Sequence, residues 1–175
     1  MNKKAYIIAG APGSGKSTFA HKLVGDNPYD LMWQERDAIR DKLFNIFDSV
    51  ENVRNYYSDF KNIREREKEV SKVYEKNINW AIENNKTIVL ADTFLGKRSI
   101  NKLPERISFL KKNGYDVHVV LLCRPLETVL KWNKQRPVVK HVPDNVIRDF
   151  YKNIPMFREK ISKIEDIKYE EVCEE

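Results

Sequence analysis

The chain has 175 residues, of which 33% are charged and 41% hydrophobic, and its formal net charge is +6. This length suffices to bury a core, and neither a membrane span of ~20 apolar residues nor a secretory signal is recognisable. We therefore predict a cytoplasmic protein whose residues 1–175 form one domain. The last twenty residues carry a net charge of −3, which leaves +9 on the others. That excess favours a polyanionic partner, although such charge also serves solubility alone.

Strand-like and helix-like segments alternate along the chain. Apolar runs predict strands at residues 5–10, 30–33, 87–92, 117–123 and 167–172. Apolar periodicity predicts helices at about residues 16–25, 37–48, 58–84, 103–112, 125–134 and 143–153, the third burying Val70, Tyr74, Ile78 and Ala81 or Ile82. Alternation of this kind builds a parallel sheet covered by helices on both sides. The predicted fold is thus α/β, with three layers and a central sheet of four to five strands.

Neither the cysteines nor the histidines form a metal-binding pattern. Cys123 and Cys173 are far apart in the sequence and lack the spacing of metal ligands, so we expect reduced structural thiols. His21, His118 and His141 are equally dispersed, and packing or surface positions are the simplest expectation for them.

The segment GAPGSGKST, residues 10–18, contains the phosphate-binding pattern G-x-x-x-x-G-K-[S/T]. Its glycines allow backbone N–H groups to surround phosphate oxygens, while Lys16 reaches the outer phosphates and the Ser17 hydroxyl ligates magnesium. An apolar strand precedes it and a helix follows it, as a phosphate site at a helix N-terminus requires. The predicted nucleotide-binding residues are Gly10, Ala11, Pro12, Gly13, Ser14, Gly15, Lys16, Ser17 and Thr18.

Polar residues follow the other strands, where ligands of parallel sheets bind. Asp37 and Arg40 lie beyond the second strand. Asp37 suits a general base for an acceptor hydroxyl and also a helix N-cap, and the two roles are compatible. Asp92 and Thr93 follow the third strand and are expected to face the substrate, with Asp92 also near the magnesium ion. No glutamate directly follows Asp92 and no N-K-x-D motif is present, which argues against a water-activating ATPase or a GTP switch.

The order GAPGSGKSTFA, RDAIR, ADTFL and LETVLKWNKQR leading to VPDNVIRDFYKNI resembles the kinase domain of the phage 5′-polynucleotide kinase/3′-phosphatases, within the wider P-loop kinases. The resemblance implies a P-loop NTPase fold with a basic lid, at residues 131–143 here, and the cofactors ATP and Mg²⁺. It makes Asp37 the general base, gives Arg40 the acceptor's neighbouring phosphate, and makes Asp92 a second active-site carboxylate. Arg136 corresponds to a lid arginine that binds the ATP phosphates and stabilises charge during transfer.

The chain departs from that family in its lid and in its length. Trp132 stands where the family has another arginine; it either packs or stacks on a base of the substrate. Nothing after residue 155 could form the phosphatase domain, so kinase activity alone is expected, in the host cytoplasm if the protein is phage-encoded.

We therefore predict transfer of the ATP γ-phosphate to the 5′-hydroxyl of a DNA or RNA end. Two alternatives remain open: a P-loop kinase for a modified DNA base, a nucleoside or a small metabolite, and a non-catalytic ATP-binding module. An oligomer is possible, and no residue of the sequence announces its interface.

Overall fold

A computed structural model describes residues 3–25 and 30–174 of the chain. The strands are β1 (Lys3–Gly10), β2 (Leu31–Gln34), β3 (Thr87–Ala91), β4 (Tyr115–Leu122) and β5 (Lys168–Val172). The helices are α1 (Lys16–Val24), α2 (Arg36–Phe44), α3 (Val50–Ser58), α4 (Ile63–Glu83), α5 (Lys97–Lys112), α6 (Leu126–Gln135), α7 (Asp144–Lys152) and α8 (Ile154–Ser162). Short 3₁₀ helices occupy Ile46–Asp48 and Val138–Lys140.

All strand pairs are parallel, in the order β2, β3, β1, β4, β5. This arrangement confirms the predicted α/β fold with its central parallel sheet. Successive side chains of a strand point to opposite faces, and β1 shows this directly. Ile7 belongs to the larger core cluster, with residues of α4, α5 and α8, whereas Ile8 belongs to a smaller cluster with Ala20 of α1. Helices therefore cover both faces of the sheet.

The long helix α4 has the buried face that its periodicity predicts. Val70, Tyr74, Ile78 and Ala81 are all buried, whereas Ile82 is only partly buried against them. Its charged residues lie largely on the other side, where exposed pairs such as Lys68 with Glu65 form.

Several predicted helix boundaries were wrong. The helix expected at residues 37–48 ends at Phe44, because Asn45 adopts a left-handed conformation with φ of 52°. Helix α5 begins at Lys97, six residues before its predicted start, and carries Pro104 in its interior. An interior proline costs a backbone hydrogen bond, but the buried stripe around it outweighs that cost. Helices α3 and α8 were not predicted as separate elements.

Within residues 3–25 and 30–174, no helix is long and apolar enough to cross a membrane.

Candidate active site

A cavity of about 1650 Å³ opens at the carboxyl ends of the strands. The phosphate-binding loop, the start of α2 and the residues after β3 all line it, since parallel strands end at the same edge of the sheet. Six residues singled out in the sequence for catalysis or substrate binding line this one cavity: Lys16, Asp37, Arg40, Asp92, Thr93 and Arg136.

The phosphate-binding loop has the geometry that its glycines were expected to provide. Gly13 and Gly15 have φ angles of 82° and 88°, a region that side chains disfavour. The Lys16 ammonium donates to the carbonyl oxygens of Gly10 and Ala11, at 2.9 and 3.0 Å. Burial lowers the pKa of Lys16 to about 8, although the charge of nearby Asp92 opposes this effect. The lysine is thus a desolvated cation facing the space where phosphates would lie.

Asp92 and Thr93 extend from β3 beside this loop. The Thr93 carbonyl accepts a hydrogen bond from the Gly10 amide at 3.1 Å, which ties the loop to the sheet edge. Asp92 Oδ1 accepts from the Arg36 amide at 2.7 Å, but its buried Oδ2 has no hydrogen-bond partner among residues 3–25 and 30–174. Burial raises the pKa of Asp92 to about 6, against the opposing contact with the Arg36 amide. A buried oxygen without a partner is the atom that a cation would satisfy.

A second carboxylate that sequence reasoning missed contacts Ser17, the predicted magnesium ligand. The Ser17 hydroxyl donates to Glu35 Oε1 at 2.6 Å, and the Trp33 indole donates to the same oxygen at 3.3 Å. Ser17, Glu35 and Asp92 together offer one hydroxyl and two carboxylates, the hard oxygen donors that Mg²⁺ prefers. These residues fit a magnesium ion. Glu35 was recognisable only as the residue that directly follows β2.

Asp37 lies in the first turn of α2 and is not its N-cap, because Glu35 occupies that position. The N-cap alternative is therefore wrong. The Asp37 side chain is 53% exposed, and its Oδ1 accepts from Arg40 Nη1 at 2.7 Å. An exposed carboxylate on the cavity wall has the access to a bound hydroxyl that a general base needs.

Arg40 is held by Glu67 of α4, a residue that the sequence did not bring to attention. Glu67 accepts two hydrogen bonds from the Arg40 guanidinium, at 2.8 and 3.1 Å, and a third from the Tyr56 hydroxyl at 2.7 Å. Burial of Glu67 disfavours its charge, but the bonds from Arg40 outweigh this and lower its pKa to about 2. Arg40 thus contacts a carboxylate on each side. Twenty-seven residues separate Arg40 from Glu67, so no local spacing could have paired them.

The segment predicted to be a lid carries Arg136, which lines the cavity together with the phosphate-binding loop. Its buried Nη1 has no hydrogen-bond partner within the described part of the chain, and burial lowers the pKa of Arg136 against the attraction of Asp37 and Glu35. Asn133 braces the lid: its side chain exchanges hydrogen bonds with the Val142 backbone at 2.8 and 3.1 Å. Asn133 also abuts Gly13, where an added Cβ would come within 3.2 Å. The glycine thus allows Asn133 to approach the loop closely, and the unpaired guanidinium nitrogen of Arg136 is a donor suited to phosphate oxygens.

Trp132 packs beside Gly15 of the same loop and also lines the cavity. Its ring lies under the Arg124 guanidinium, 5.3 Å from it, and Arg124 donates to the Ser14 carbonyl at 3.1 Å. The tryptophan therefore does not replace the missing lid arginine as a cation, and Arg124 supplies a cation nearby.

The expectation of reduced thiols was wrong for this structure, which pairs Cys123 with Cys173 in a disulfide. The two residues are 50 positions apart, yet their Cα atoms are separated by 4.4 Å. They meet because Cys123 follows β4 and Cys173 follows β5, and these strands are parallel neighbours. Arg124, next to Cys123, also donates to the carbonyl of Glu174, next to Cys173.

Comparison with known proteins identifies the family and the fold. A family model described as an AAA domain matches residues 6–155. The chain belongs to this AAA domain family. The match and the structural neighbours confirm the resemblance to P-loop kinases, and the fold is that of a P-loop NTPase.

Three solved structures illustrate the fold of this AAA domain. A structure of the Pnkp1/Rnl/Hen1 RNA repair complex shares 24% sequence identity with this chain and has a TM-score of 0.67. The match covers 91% of this chain but 46% of that chain. A structure of deoxyadenosine kinase from M. mycoides shares 16% sequence identity with this chain and has a TM-score of 0.61. The match covers 96% of this chain and 89% of that chain. A structure of the PezAT toxin–antitoxin system of Streptococcus pneumoniae shares 15% sequence identity with this chain and has a TM-score of 0.63. The match covers 97% of this chain and 69% of that chain. At these identities the likeness concerns the fold.

Proposed function

We propose that this AAA domain transfers the γ-phosphate of ATP to the 5′-hydroxyl of a DNA or RNA end. The observation that carries the proposal is the Asp37–Arg40 pair, which lines the same cavity as Lys16. A base and a phosphate-binding cation side by side suit a hydroxyl whose nucleotide also bears a phosphate. The likeness to a solved RNA repair complex supports the same substrate class.

The residues of the cavity divide the reaction between them. Lys16 and the loop amides hold the ATP phosphates, and Arg136 approaches them from the lid. The acceptor oxygen forms a bond to the γ-phosphorus while the bond from phosphorus to the ADP oxygen breaks, and Asp37 takes the hydroxyl proton. Ser17, Glu35 and Asp92 would hold Mg²⁺, which neutralises phosphate charge when bound.

Arg40 would orient the acceptor through the phosphate on its 3′ side. The hydrogen bonds that Arg40 donates to Glu67 fix its guanidinium beside Asp37, so a phosphate bound there would place the 5′-hydroxyl close to the base. Positioning of this kind supplies much of the rate enhancement in phosphoryl transfer.

A second candidate function rests on the same residue. Arg40 already contacts the carboxylates of Glu67 and Asp37, which offset its charge and would suit an uncharged acceptor. A nucleoside, a modified base or a small metabolite would then receive the phosphate, and a neighbour of known structure is a deoxyadenosine kinase.

The test is transfer of labelled γ-phosphate to a panel of acceptors with Mg²⁺ present. The panel contains 5′-hydroxyl DNA and RNA oligonucleotides, a nucleoside 3′-monophosphate, free nucleosides and DNA with hydroxymethylated bases. We expect label on the oligonucleotide 5′ ends, lost by at least ~10²-fold in Asp37→Asn. Asp41→Asn is the matched control, since Asp41 lies on the same helix, accepts from the Phe47 amide and does not line the cavity.

The outcome of this assay distinguishes the candidate functions. Label on nucleosides or modified bases alone would favour the second candidate and keep the role of Asp37. Absence of label on every acceptor, with intact ATP binding, would show a non-catalytic nucleotide-binding module.

A further inference from the structure

Helix α3 turns an apolar stripe toward the cavity and away from the core. Val50, Val53, Arg54 and Tyr57 follow one another at helical spacing, and all four line the cavity. Tyr56, on the other side of the helix, is buried, whereas Val50 and Tyr57 are 42% and 45% exposed. An apolar helix face normally packs against other elements, so this exposed face is a candidate binding surface.

The surface continues beyond the end of α3 and onto a second helix. Phe60, in the turn between α3 and α4, also lines the cavity and is 87% exposed. Helix α5 contributes Lys102 and Phe109 to the same lining. Aromatic rings interleaved with cations are the composition that binds single-stranded nucleic acid, in which the bases stack and the phosphates pair.

The cations of this surface are available for a ligand. Within the described residues, neither Arg54 nor Lys102 forms an ion pair, in contrast to Arg106, which pairs with Glu75. The surface therefore offers positive charge that the protein itself does not neutralise, as a phosphate backbone requires.

Tyr57 connects this surface with the reacting groups. Burial raises the pKa of its hydroxyl, the charge of Arg40 opposes that effect, and the charge of Asp37 adds to it. The ring is 45% exposed and lines the same cavity as Asp37 and Arg40. An acceptor whose 5′-hydroxyl reaches Asp37 would bring its first base within reach of this ring.

We propose that Tyr57 and Phe60 form a stacking surface for the unpaired bases at the 5′ end of the acceptor strand, with Arg54 and Lys102 binding its phosphates. This inference rests on the proposed function, because it presumes that a nucleic-acid end enters the cavity. The ligand class is single-stranded nucleic acid, and bases that are engaged in a duplex are unavailable for stacking.

The first measurement is binding, which does not depend on phosphate transfer. Fluorescence anisotropy compares a 3′-labelled 5′-hydroxyl oligonucleotide with the same strand lacking the bases of its first two nucleotides. We expect the intact strand to bind about 10-fold more tightly, the effect of one stacked base. Tyr57→Leu and Phe60→Ala should each reduce this preference, whereas Tyr57→Phe should keep most of it because the ring is retained. Trp80→Leu is the matched control, since Trp80 is 49% exposed and does not line the cavity.

The second measurement is the steady-state rate of transfer to the same two strands. Stacking in the bound state predicts that Tyr57→Leu raises KM for the intact strand about 10-fold and changes kcat little. Equal affinity of the wild type for intact and abasic strands would overturn the stacking surface, even if 5′ ends are phosphorylated. Conversely, base-dependent binding without any labelling of 5′ ends would support the surface and overturn the proposed function. Binding of the intact strand that Tyr57→Leu and Phe60→Ala both leave unchanged would also overturn the inference.

Discussion

Replacing Lys16 with methionine should stabilise the nucleotide-free protein while abolishing phosphate transfer. The pKa of Lys16 falls from 10.5 to about 8 in the folded chain, chiefly through burial. A fall of that size corresponds to about 3 kcal/mol of unfavourable free energy for the charged form. The side chain remains partly exposed and the substitution also removes two hydrogen bonds, so we expect a gain of about 1–2 kcal/mol in unfolding free energy at pH 7.

The pH dependence of this gain tests its electrostatic origin. Because the folded pKa lies below the unfolded one, the unfolded chain binds more protons between about pH 8 and 10.5, and stability rises with pH in that window. The advantage of Lys16→Met over the wild type should therefore be full at pH 7 and shrink toward pH 10. Urea denaturation without nucleotide, and with a chelator present, measures the unfolding free energies of the wild type and the variant at each pH. Lys22→Met, an exposed position on the same helix, is the control. A variant no more stable than the wild type at pH 7, or an advantage that does not vary with pH, would refute the reasoning.

Three further predictions concern single contacts. Glu67→Gln should lower transfer by about 10-fold, because the amide lacks the charge and the second acceptor oxygen that the two bonds from Arg40 use. Glu69→Gln, on the exposed side of α4, should change nothing. Equal rates for Glu67→Gln and the wild type would show that Arg40 does not need Glu67 to hold it. Below about pH 6, protonation of Asp92 should reduce kcat/KM for ATP, and Asp92→Asn should be slower and lack this acid limb in a pH–rate profile. Reduction of the disulfide should lower the wild-type Tm by ~5–15 °C, because a disulfide that closes a loop of this length contributes about 2–4 kcal/mol to the free energy of unfolding. The Tm of Cys173→Ser should not respond to the reductant. Two titratable thiols in the untreated wild type would contradict the pairing.

The sequence allowed prediction of those parts of the site that one segment contains. The phosphate-binding loop, its strand and its helix are contiguous, so the roles of Lys16 and Ser17 follow from nine residues. The strand-end rule then placed Asp37 and Asp92 at the same edge without any knowledge of strand order. Helix ends were less predictable, because the conformation of Asn45 and the burial around Pro104 depend on tertiary packing.

Contacts between distant segments account for what the sequence did not reveal. Glu67 looks like one charge among many in a solvated helix, and only the packing of α4 against α2 brings it to Arg40. Phe60 and Tyr57 likewise become candidates for ligand binding only because the structure shows that they line the cavity. A charged or aromatic residue on a helix surface has no local signal that distinguishes solvent from a binding cleft.

The cysteines show how sheet topology overrides sequence separation. Cys123 and Cys173 follow strands whose register pairs Leu122 with Val172, so the residues after both strands emerge side by side. The same adjacency brings Arg124 to the Glu174 carbonyl and, through its other nitrogen, to the Ser14 carbonyl of the phosphate-binding loop. The end of β5 is therefore linked mechanically to the nucleotide site. Arg124 also lies over Trp132 of α6, the helix that ends directly before Arg136, so one side chain contacts the end of β5, the phosphate-binding loop and the helix that leads to Arg136.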